Sequence, residues 1–277
     1  MDKQPRIVFL IPIASSRVVA DWHLTCSYLQ QTLRSIFNSS NGNFCVVVVG
    51  HEVPDFELPK DSRFRFISLD HPIPSQTKIS YDDKVRDKMT KLAAAWIYTK
   101  TMWNPQYVMK VDADDFISSK LVDWLASAKD EAGYYIRRGW LWNLGSRYFI
   151  KHTEHFDELC GTCLIIRSDL ADRSGPFLNT TDEARRQVFD NRSLVPGAGT
   201  TTLLLNDAHQ HAEAQFKYLG HQLVTVPFSA AIYRIGNPMS MAKTGLRSQI
   251  HSVRYLLGGI RRTKFITGCL RREFMLE

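Results

Sequence analysis

The sequence predicts an α/β fold, with a Rossmann-like, mostly parallel sheet flanked by helices. Two observations predict it. Short unbroken apolar runs indicate strands that are buried on both faces, and they alternate with segments whose apolar residues recur at helical spacing. Over the first 130 residues the elements follow the order strand–helix–strand–strand–helix–strand–helix, which is typical of parallel sheets covered by helices.

The first half of the chain supplies four predicted strands and three predicted helices. A proline stops the first apolar run, and the polar segment 38–43 ends the first helix. The strands are expected at 6–13 (RIVFLIPI), 44–49 (FCVVVV), 64–69 and 106–111. The helices are expected at 22–37, around an apolar stripe from Met89 to Ile97, and at 119–128.

The second half is less regular. Strands predicted at 133–142 and 146–150 flank Asn143-Leu144-Gly145, which indicates a hairpin. Further elements are expected as strands at 159–167, 223–226 and 230–235, and as a helix at 200–219. We predict one domain over 1–242, with halves 1–130 and 131–242, followed by a basic helical tail over 243–277.

Composition and charge restrict the function classes. The chain has 277 residues, 44% of them hydrophobic, so it can bury a sizeable core. Its net charge of +7 is concentrated in residues 243–277, which carry eight Lys/Arg against two Glu, whereas the rest carries 27 basic and 26 acidic residues. A nearly neutral body argues against nucleic-acid binding, and no nucleic-acid partner is expected.

The location is expected to be cytoplasmic. No apolar run reaches the ~20 residues that span a bilayer, the N-terminus looks like a first strand, and five scattered cysteines suit reduced thiols. The tail repeats apolar residues at helical spacing among arginines, and basic amphipathic helices lie on anionic membrane surfaces. A peripheral position on the inner face of the membrane is therefore one expectation, and packing of the tail against the domain or a second subunit is the alternative.

Polar clusters follow three of the predicted strands, at the edge where open α/β sheets bind ligands. They are Ser15-Ser16-Arg17, His51-Glu52 and the acidic stretch Asp112–Asp115 (DADD). Asp112 and Asp114 project to one side of the chain. A protein usually supplies two carboxylates as ligands of Mg²⁺ or Mn²⁺. The alternative is an acidic turn that caps the following helix, and we assign Asp115 to that cap.

Several of these segments resemble one family. The stretches PIASSRVVADWHLTCSYLQQTLRSI, FCVVVVGHEVPDF, DKMTKLAAAW and YVMKVDADDFIS resemble nucleotide-sugar glycosyltransferases of the A-type fold, and more narrowly bacterial rhamnosyltransferase-like proteins. The resemblance covers residues 6–125 well and 155–235 loosely, and it does not reach the tail. It implies a metal-dependent transferase that moves a sugar from a nucleotide-diphosphate donor to a glycan or lipid-linked acceptor, as in cell-envelope polysaccharide synthesis.

The resemblance also implies roles for individual residues, with a nucleotide-binding first half and an acceptor-binding second half. Asp112 and Asp114 would hold the Mn²⁺ or Mg²⁺. The predicted contacts with the nucleotide sugar are Ser15, Arg17, His51, Glu52, Lys88 and Asp112. Asp207 is the candidate base for the acceptor hydroxyl, and His209 is its rival, either as base or as a third metal ligand.

Two other readings of the sequence remain open. A nucleotidyltransferase also uses carboxylate-bound Mg²⁺, but it would favour a glycine-rich loop after the first strand, and PIASSRVV has no glycine. A basic protein that binds nucleic acid or a membrane surface without catalysis is the non-enzymatic alternative.

Overall fold

The computed structural model describes residues 4–70, 72–73, 81–143, 146–171, 205, 209, 212–236 and 262–277. These residues form two sheets with helices around them. The strands are β1 Ile7–Pro12, β2 Phe44–Gly50, β3 Phe64–Ser68, β4 Tyr107–Lys110, β5 Phe116–Ile117, β6 Gly133–Tyr135, β7 Gly139–Asn143, β8 Phe149–Thr153, β9 Leu164–Arg167, β10 Val224–Thr225, β11 Ala231–Ile235 and β12 Thr263–Phe265. The helices are α1 Trp22–Phe37, α2 Tyr81–Met102, α3 Leu121–Ser127, α4 Phe156–Leu159, α5 Ser168–Ala171, α6 Ala212–Tyr218 and α7 Gly268–Phe274.

The larger sheet has seven strands in the order β10-β6-β9-β4-β1-β2-β3. Strands β4, β1, β2 and β3 are parallel, β10 is parallel to β6, and β9 is antiparallel to both of its neighbours. This confirms the predicted mostly parallel, Rossmann-like sheet. The chain builds outward from β1 to β3 and then returns to place β4 on the other side of β1, so the topological switch point lies between β1 and β4.

The core follows the apolar runs of the sequence. Every residue of β2 and β4 is buried, as are the first five residues of β1. Helix α1 covers one face with a buried stripe that includes Leu29, Leu33 and Ile36, and the side chain of Asp21 caps its start by accepting from the Leu24 N–H at 2.9 Å. All strands and helices predicted for the first half are therefore confirmed, with ends that differ by a few residues.

The second half corrects three expectations. The predicted strand 133–142 is two strands in different sheets, because the ladder of β6 ends where Ile136 N–H binds the Cys163 carbonyl and the chain then crosses to the other sheet. The predicted strand 159–167 is shorter, since 156–159 form α4. The helix predicted at 200–219 is observed at Ala212–Tyr218, and 200–204, 206–208 and 210–211 lie outside the described residues.

The smaller sheet has five strands in the order β12-β8-β7-β11-β5. The hairpin predicted around residue 143 is confirmed, because β7 and β8 pair antiparallel with Trp140 opposite His152. Strand β12 continues the sheet by pairing with β8. Phe274 at the end of α7 and Leu276 just after it are buried beside Phe116, Ile150 and Ile232. Residues 262–277 thus pack against the body of the protein, whereas 243–261 lie outside the described residues.

None of the helices in the described ranges is long and apolar enough to cross a membrane.

Candidate active site

The acidic stretch predicted as a metal site forms a four-residue turn between β4 and β5. The N–H of Asp115 closes the turn by donating to the Asp112 carbonyl at 3.1 Å. The N–H of Asp112 donates to Thr162 Oγ1 at 2.9 Å, and Thr32 Oγ1 donates to the Ala113 carbonyl at 3.0 Å. Residues before β9 and on α1 therefore fix the backbone of this turn from two sides.

Asp115 is a buried anchor of the turn. Its Oδ2 accepts hydrogen bonds from the hydroxyl of Thr162 and from Cys160 Sγ, and its Oδ1 accepts from the Arg234 N–H at 3.3 Å. The assignment of Asp115 to a helix cap is wrong, because α3 begins after Lys120 with no side-chain cap, and the Asp115 carboxyl faces the opposite way, toward β9 and β11.

The protonation of Asp115 reflects this burial. Removal from water raises its pKa well above the ordinary value, and the neighbouring charges of Asp114 and Asp112 raise it further. Asp115 is therefore better suited to holding three segments together than to binding a cation.

Arg234, on β11, is a site residue that the sequence analysis missed. Its Nε donates to the Asp114 carbonyl at 3.1 Å and its guanidinium lies 4.1 Å from the centre of the Tyr28 ring. The rings of Phe116 and Trp142 are 4.8 and 5.3 Å away, and only 3% of the residue is exposed. A single arginine inside an otherwise apolar strand, AIYRI, was the available signal, because a buried charge requires a partner.

Asp112 is a carboxylate of the turn that pairs with a basic side chain. Its Oδ1 forms an ion pair with Lys88 Nζ from α2, as the prediction of Lys88 near the crevice requires. Burial raises the pKa of Asp112, but the charge and hydrogen bond of Lys88, followed by the charge of Lys110, outweigh burial and lower that pKa below the ordinary value. Asp112 is thus an ionised carboxylate surrounded by basic groups, of which the buried Lys110 was also missed from the sequence.

His209 lies beside Asp112, across Gly161. A Cβ atom at Gly161 would be 3.6 Å from Asp112 Oδ2 and 3.8 Å from His209 Nδ1. Burial and the charge of Lys110 lower the pKa of His209 to about 4, so the imidazole is neutral near pH 7. Its buried Nε2 has no hydrogen-bond partner among the described residues. Asp207, the other predicted base, lies outside the described residues.

The low pKa of His209 predicts a pH-dependent stability. Between about pH 6.5 and pH 4 the unfolded chain binds a proton at His209 that the folded chain does not, so acid destabilises the fold by about 3 kcal/mol in total. His209→Asn should remove that part of the acid sensitivity. Urea unfolding of wild type and variant at both ends of this range measures it, with exposed His155→Asn as control. Equal acid sensitivity of His209→Asn and wild type would contradict the prediction.

The clusters after β1 and β2 meet as predicted. Ser15 Oγ donates to Glu52 Oε1 at 2.7 Å, and the N–H of Ser16 donates to Glu52 Oε2 at 3.2 Å. Burial raises the pKa of Glu52, but these hydrogen bonds outweigh burial and lower it below the ordinary value. Arg17 is exposed at the same loop, with its N–H on Ser15 Oγ. The contacts of Ser15, Arg17 and Glu52 with a nucleotide remain predictions.

Helix α2 connects this cluster to the acidic turn. One turn after Lys88, the buried Lys91 donates to Asp87 Oδ2 at 2.6 Å, and Asp87 Oδ1 lies 3.9 Å from His51 Nε2. His51 is turned inward against α2, which fits a role in fixing the end of β2. Its predicted contact with the nucleotide stays a prediction.

The residues around Asp112 fit a divalent cation that takes most of its ligands from a substrate. Within the described ranges, no three His, Cys, Asp or Glu side chains are grouped as a ready metal site. Mg²⁺, however, is usually held by one or two carboxylates together with phosphates and water. An ionised Asp112 supplies such a carboxylate, and the neutral His209 imidazole lies near it with Nδ1 toward Gly161.

Comparisons with known proteins give matches to solved structures alone. No family model and no curated protein matches the sequence. TarS of S. aureus matches in two structures at 13% identity, with TM-scores of 0.42 and 0.43, over 83% of this chain and 60% and 37% of theirs. An active-site mutant of LgtC matches at 13% identity and a TM-score of 0.35, over 97% of this chain and 99% of its own.

TarS and LgtC are themselves glycosyltransferases. All three TM-scores lie below 0.5, so the fold class rests on the strand order and pairing described above. The chain spans less than two thirds of the length of either TarS structure.

Proposed function

We propose that the protein is a glycosyltransferase that moves a sugar from a nucleotide-diphosphate donor to a glycan or lipid-linked acceptor, with Mn²⁺ or Mg²⁺ as cofactor. The observation that carries the proposal is the place of Asp112. It follows β4 directly beside β1, at the switch point where open α/β sheets bind ligands, and a lysine already contacts its carboxylate.

The donor side is assigned to the first half. Departure of the nucleoside diphosphate develops negative charge, and fixed cationic groups stabilise that charge in the transition state. A divalent cation held by Asp112 and Asp114 would neutralise the leaving diphosphate. Lys88 stands beside Asp112, where its ammonium can donate to phosphate oxygens. The loops that carry Ser15, Arg17 and Glu52 follow β1 and β2 at the same carboxyl edge of the sheet, where they would contact the nucleotide.

The acceptor side is assigned to the second half, with Asp207 as base. A metal ligand must be unprotonated, and a pKa of about 4 keeps the His209 imidazole neutral near pH 7. We therefore assign His209 to the cation and Asp207 to the proton of the acceptor hydroxyl.

The test is a thermal-shift panel of UDP-, GDP- and dTDP-sugars, each with and without Mn²⁺. A ligand that binds the folded state raises Tm, and tighter binding raises it more, so one donor should stabilise the protein and Mn²⁺ should enlarge the shift. If no donor stabilises the protein, the proposal is contradicted. Stabilisation by a nucleoside triphosphate, with pyrophosphate release, would favour a nucleotidyltransferase instead.

A surface feature supports the predicted position at an anionic membrane. Residues 146–153 and 262–272 hold six Lys/Arg and no Asp or Glu, and we call their surface the basic–aromatic face. Tyr148, Phe149 and Phe265 on this face are 65%, 47% and 70% exposed, and the two Phe rings lie 4.9 Å apart. Exposed aromatic rings among cationic side chains suit the headgroup region of an anionic bilayer.

The double variant Phe149→Ser/Phe265→Ser is expected to lose about tenfold or more of its affinity for anionic vesicles, because two rings no longer insert. Cosedimentation with phosphatidylcholine vesicles, with and without phosphatidylglycerol, measures this. Tyr218→Ser removes an equally exposed ring elsewhere and serves as the control. Wild-type protein that pellets with neither vesicle would contradict the assignment.

A further inference from the structure

The ion pair between Lys88 and Asp112 occupies a carboxylate that a cation would need. Lys88 Nζ contacts Asp112 Oδ1, and the side chains are 21% and 30% exposed. The ammonium therefore balances the charge of the Asp112 carboxylate in the place where a metal would do so.

Among the lysines described at this site, Lys88 is the one with a partly exposed side chain, because Lys91 and Lys110 are buried. Arg234 is held among three aromatic rings and hydrogen-bonded to the Asp114 carbonyl, and Lys91 is buried on Asp87. The backbone of the turn is fixed by Thr162 and Thr32. Lys88, with a flexible stem and partial exposure, can leave Asp112 without disturbing the turn.

We propose that Lys88 is a stand-in cation: its ammonium neutralises Asp112 until a divalent metal arrives, and it then passes to the diphosphate of the ligand. The inference rests on the proposed function for the presence of a diphosphate. Because one side chain serves both partners, metal binding and diphosphate binding are coupled, and such couplings change affinities by factors of about 5–150. Metal alone binds weakly, since it must displace Lys88.

The test measures binding to the full chain without any donor sugar. Mn²⁺ alone is titrated into wild type and Lys88→Met by calorimetry, and inorganic pyrophosphate is titrated separately into each protein after saturation with Mn²⁺. Lys88→Met should bind Mn²⁺ about fivefold or more tightly than wild type and pyrophosphate about fivefold or more weakly. Lys88→Gln repeats the measurement with a second neutral side chain, which guards against a folding defect in one variant.

Two further variants serve as controls for the Mn²⁺ and pyrophosphate affinities. Lys100→Met removes an exposed ammonium from the same helix and should leave both affinities at the wild-type values. Lys88→Arg keeps the charge and should bind Mn²⁺ as weakly as wild type. Mn²⁺ affinity that is unchanged or reduced in both neutral variants overturns the proposal, and so does a complete lack of Mn²⁺ binding by every protein.

Failure of this inference and failure of the proposed function are distinguishable. Donor sugars that stabilise the protein, together with unchanged Mn²⁺ affinity in Lys88→Met, would leave sugar transfer standing and remove the stand-in cation. Tighter Mn²⁺ binding by the variant, with no response to any donor sugar, would keep the stand-in cation and remove the sugar transfer.

Discussion

Replacing Asp112 with asparagine is expected to lower kcat/KM for sugar transfer by about 10²–10³-fold, the range observed when one preorganised electrostatic group of an active site is removed. The substitution keeps the shape of the side chain but removes the charge that would hold the cation, and it leaves Lys88 without its carboxylate. The rate of nucleoside diphosphate release, with the donor that the thermal-shift panel identifies, measures the effect.

The fold should survive this substitution. The bond that fixes residue 112 to Thr162 comes from its backbone N–H, which asparagine retains. Asp123→Asn, which neutralises an exposed carboxylate on α3, is the matched control and should keep wild-type kcat/KM. A Tm near that of wild type together with undiminished activity of Asp112→Asn would exclude Asp112 from the chemistry.

The first half of the fold could be predicted from sequence because each element carries its own signal. Strands β1, β2 and β4 are buried on both faces and read as unbroken apolar runs, and α1 is bounded by a capping Asp21 and a polar break. The stretch from Gly133 to Trp142 carries no such signal, because alternation of apolar residues does not report which sheet a residue joins. Its division into β6 and β7 depends on pairing with β9 and β8, respectively.

The candidate site likewise has one part that could be predicted from sequence and one part that could not. Asp112 could be predicted from its place after a buried strand, because the carboxyl edge of a sheet collects polar groups whatever their partners are. The role of Asp115 could not, since its partners Cys160, Thr162 and Arg234 lie 45, 47 and 119 residues away in sequence. Contacts at such separations arise only when β9 and β11 are folded beside the turn.

Arg234→Met is expected to lower the free energy of unfolding by about 2–3 kcal/mol, because it removes buried hydrogen bonds made by a charged group. Methionine can still pack among the rings of Tyr28, Phe116 and Trp142. However, the Asp114 carbonyl loses its donor, and the acidic turn loses its buried cation. Urea unfolding, compared at constant m-value, measures the change.

Arg63→Met is a matched control, because Arg63 also lies over aromatic rings, two of them at 4.5 and 5.3 Å, and is also hydrogen-bonded, in its case to Asp61. Its side chain is 31% exposed, so water replaces much of the lost interaction and a loss of about 1 kcal/mol is expected. Equal losses of unfolding free energy in the two variants would show that the burial of Arg234 does not increase its contribution to stability.

The pH dependence gives a second check on Arg234. The folded chain keeps a proton on Asp115 at pH values where the unfolded chain has released it, so stability from this group is fully present in acid and declines as pH rises through the raised pKa. Arg234 attracts the Asp115 carboxylate and limits that decline. The destabilisation caused by Arg234→Met should therefore shrink as the pH falls, and a difference that stays constant or grows in acid would place the anchoring effect outside the acidic turn.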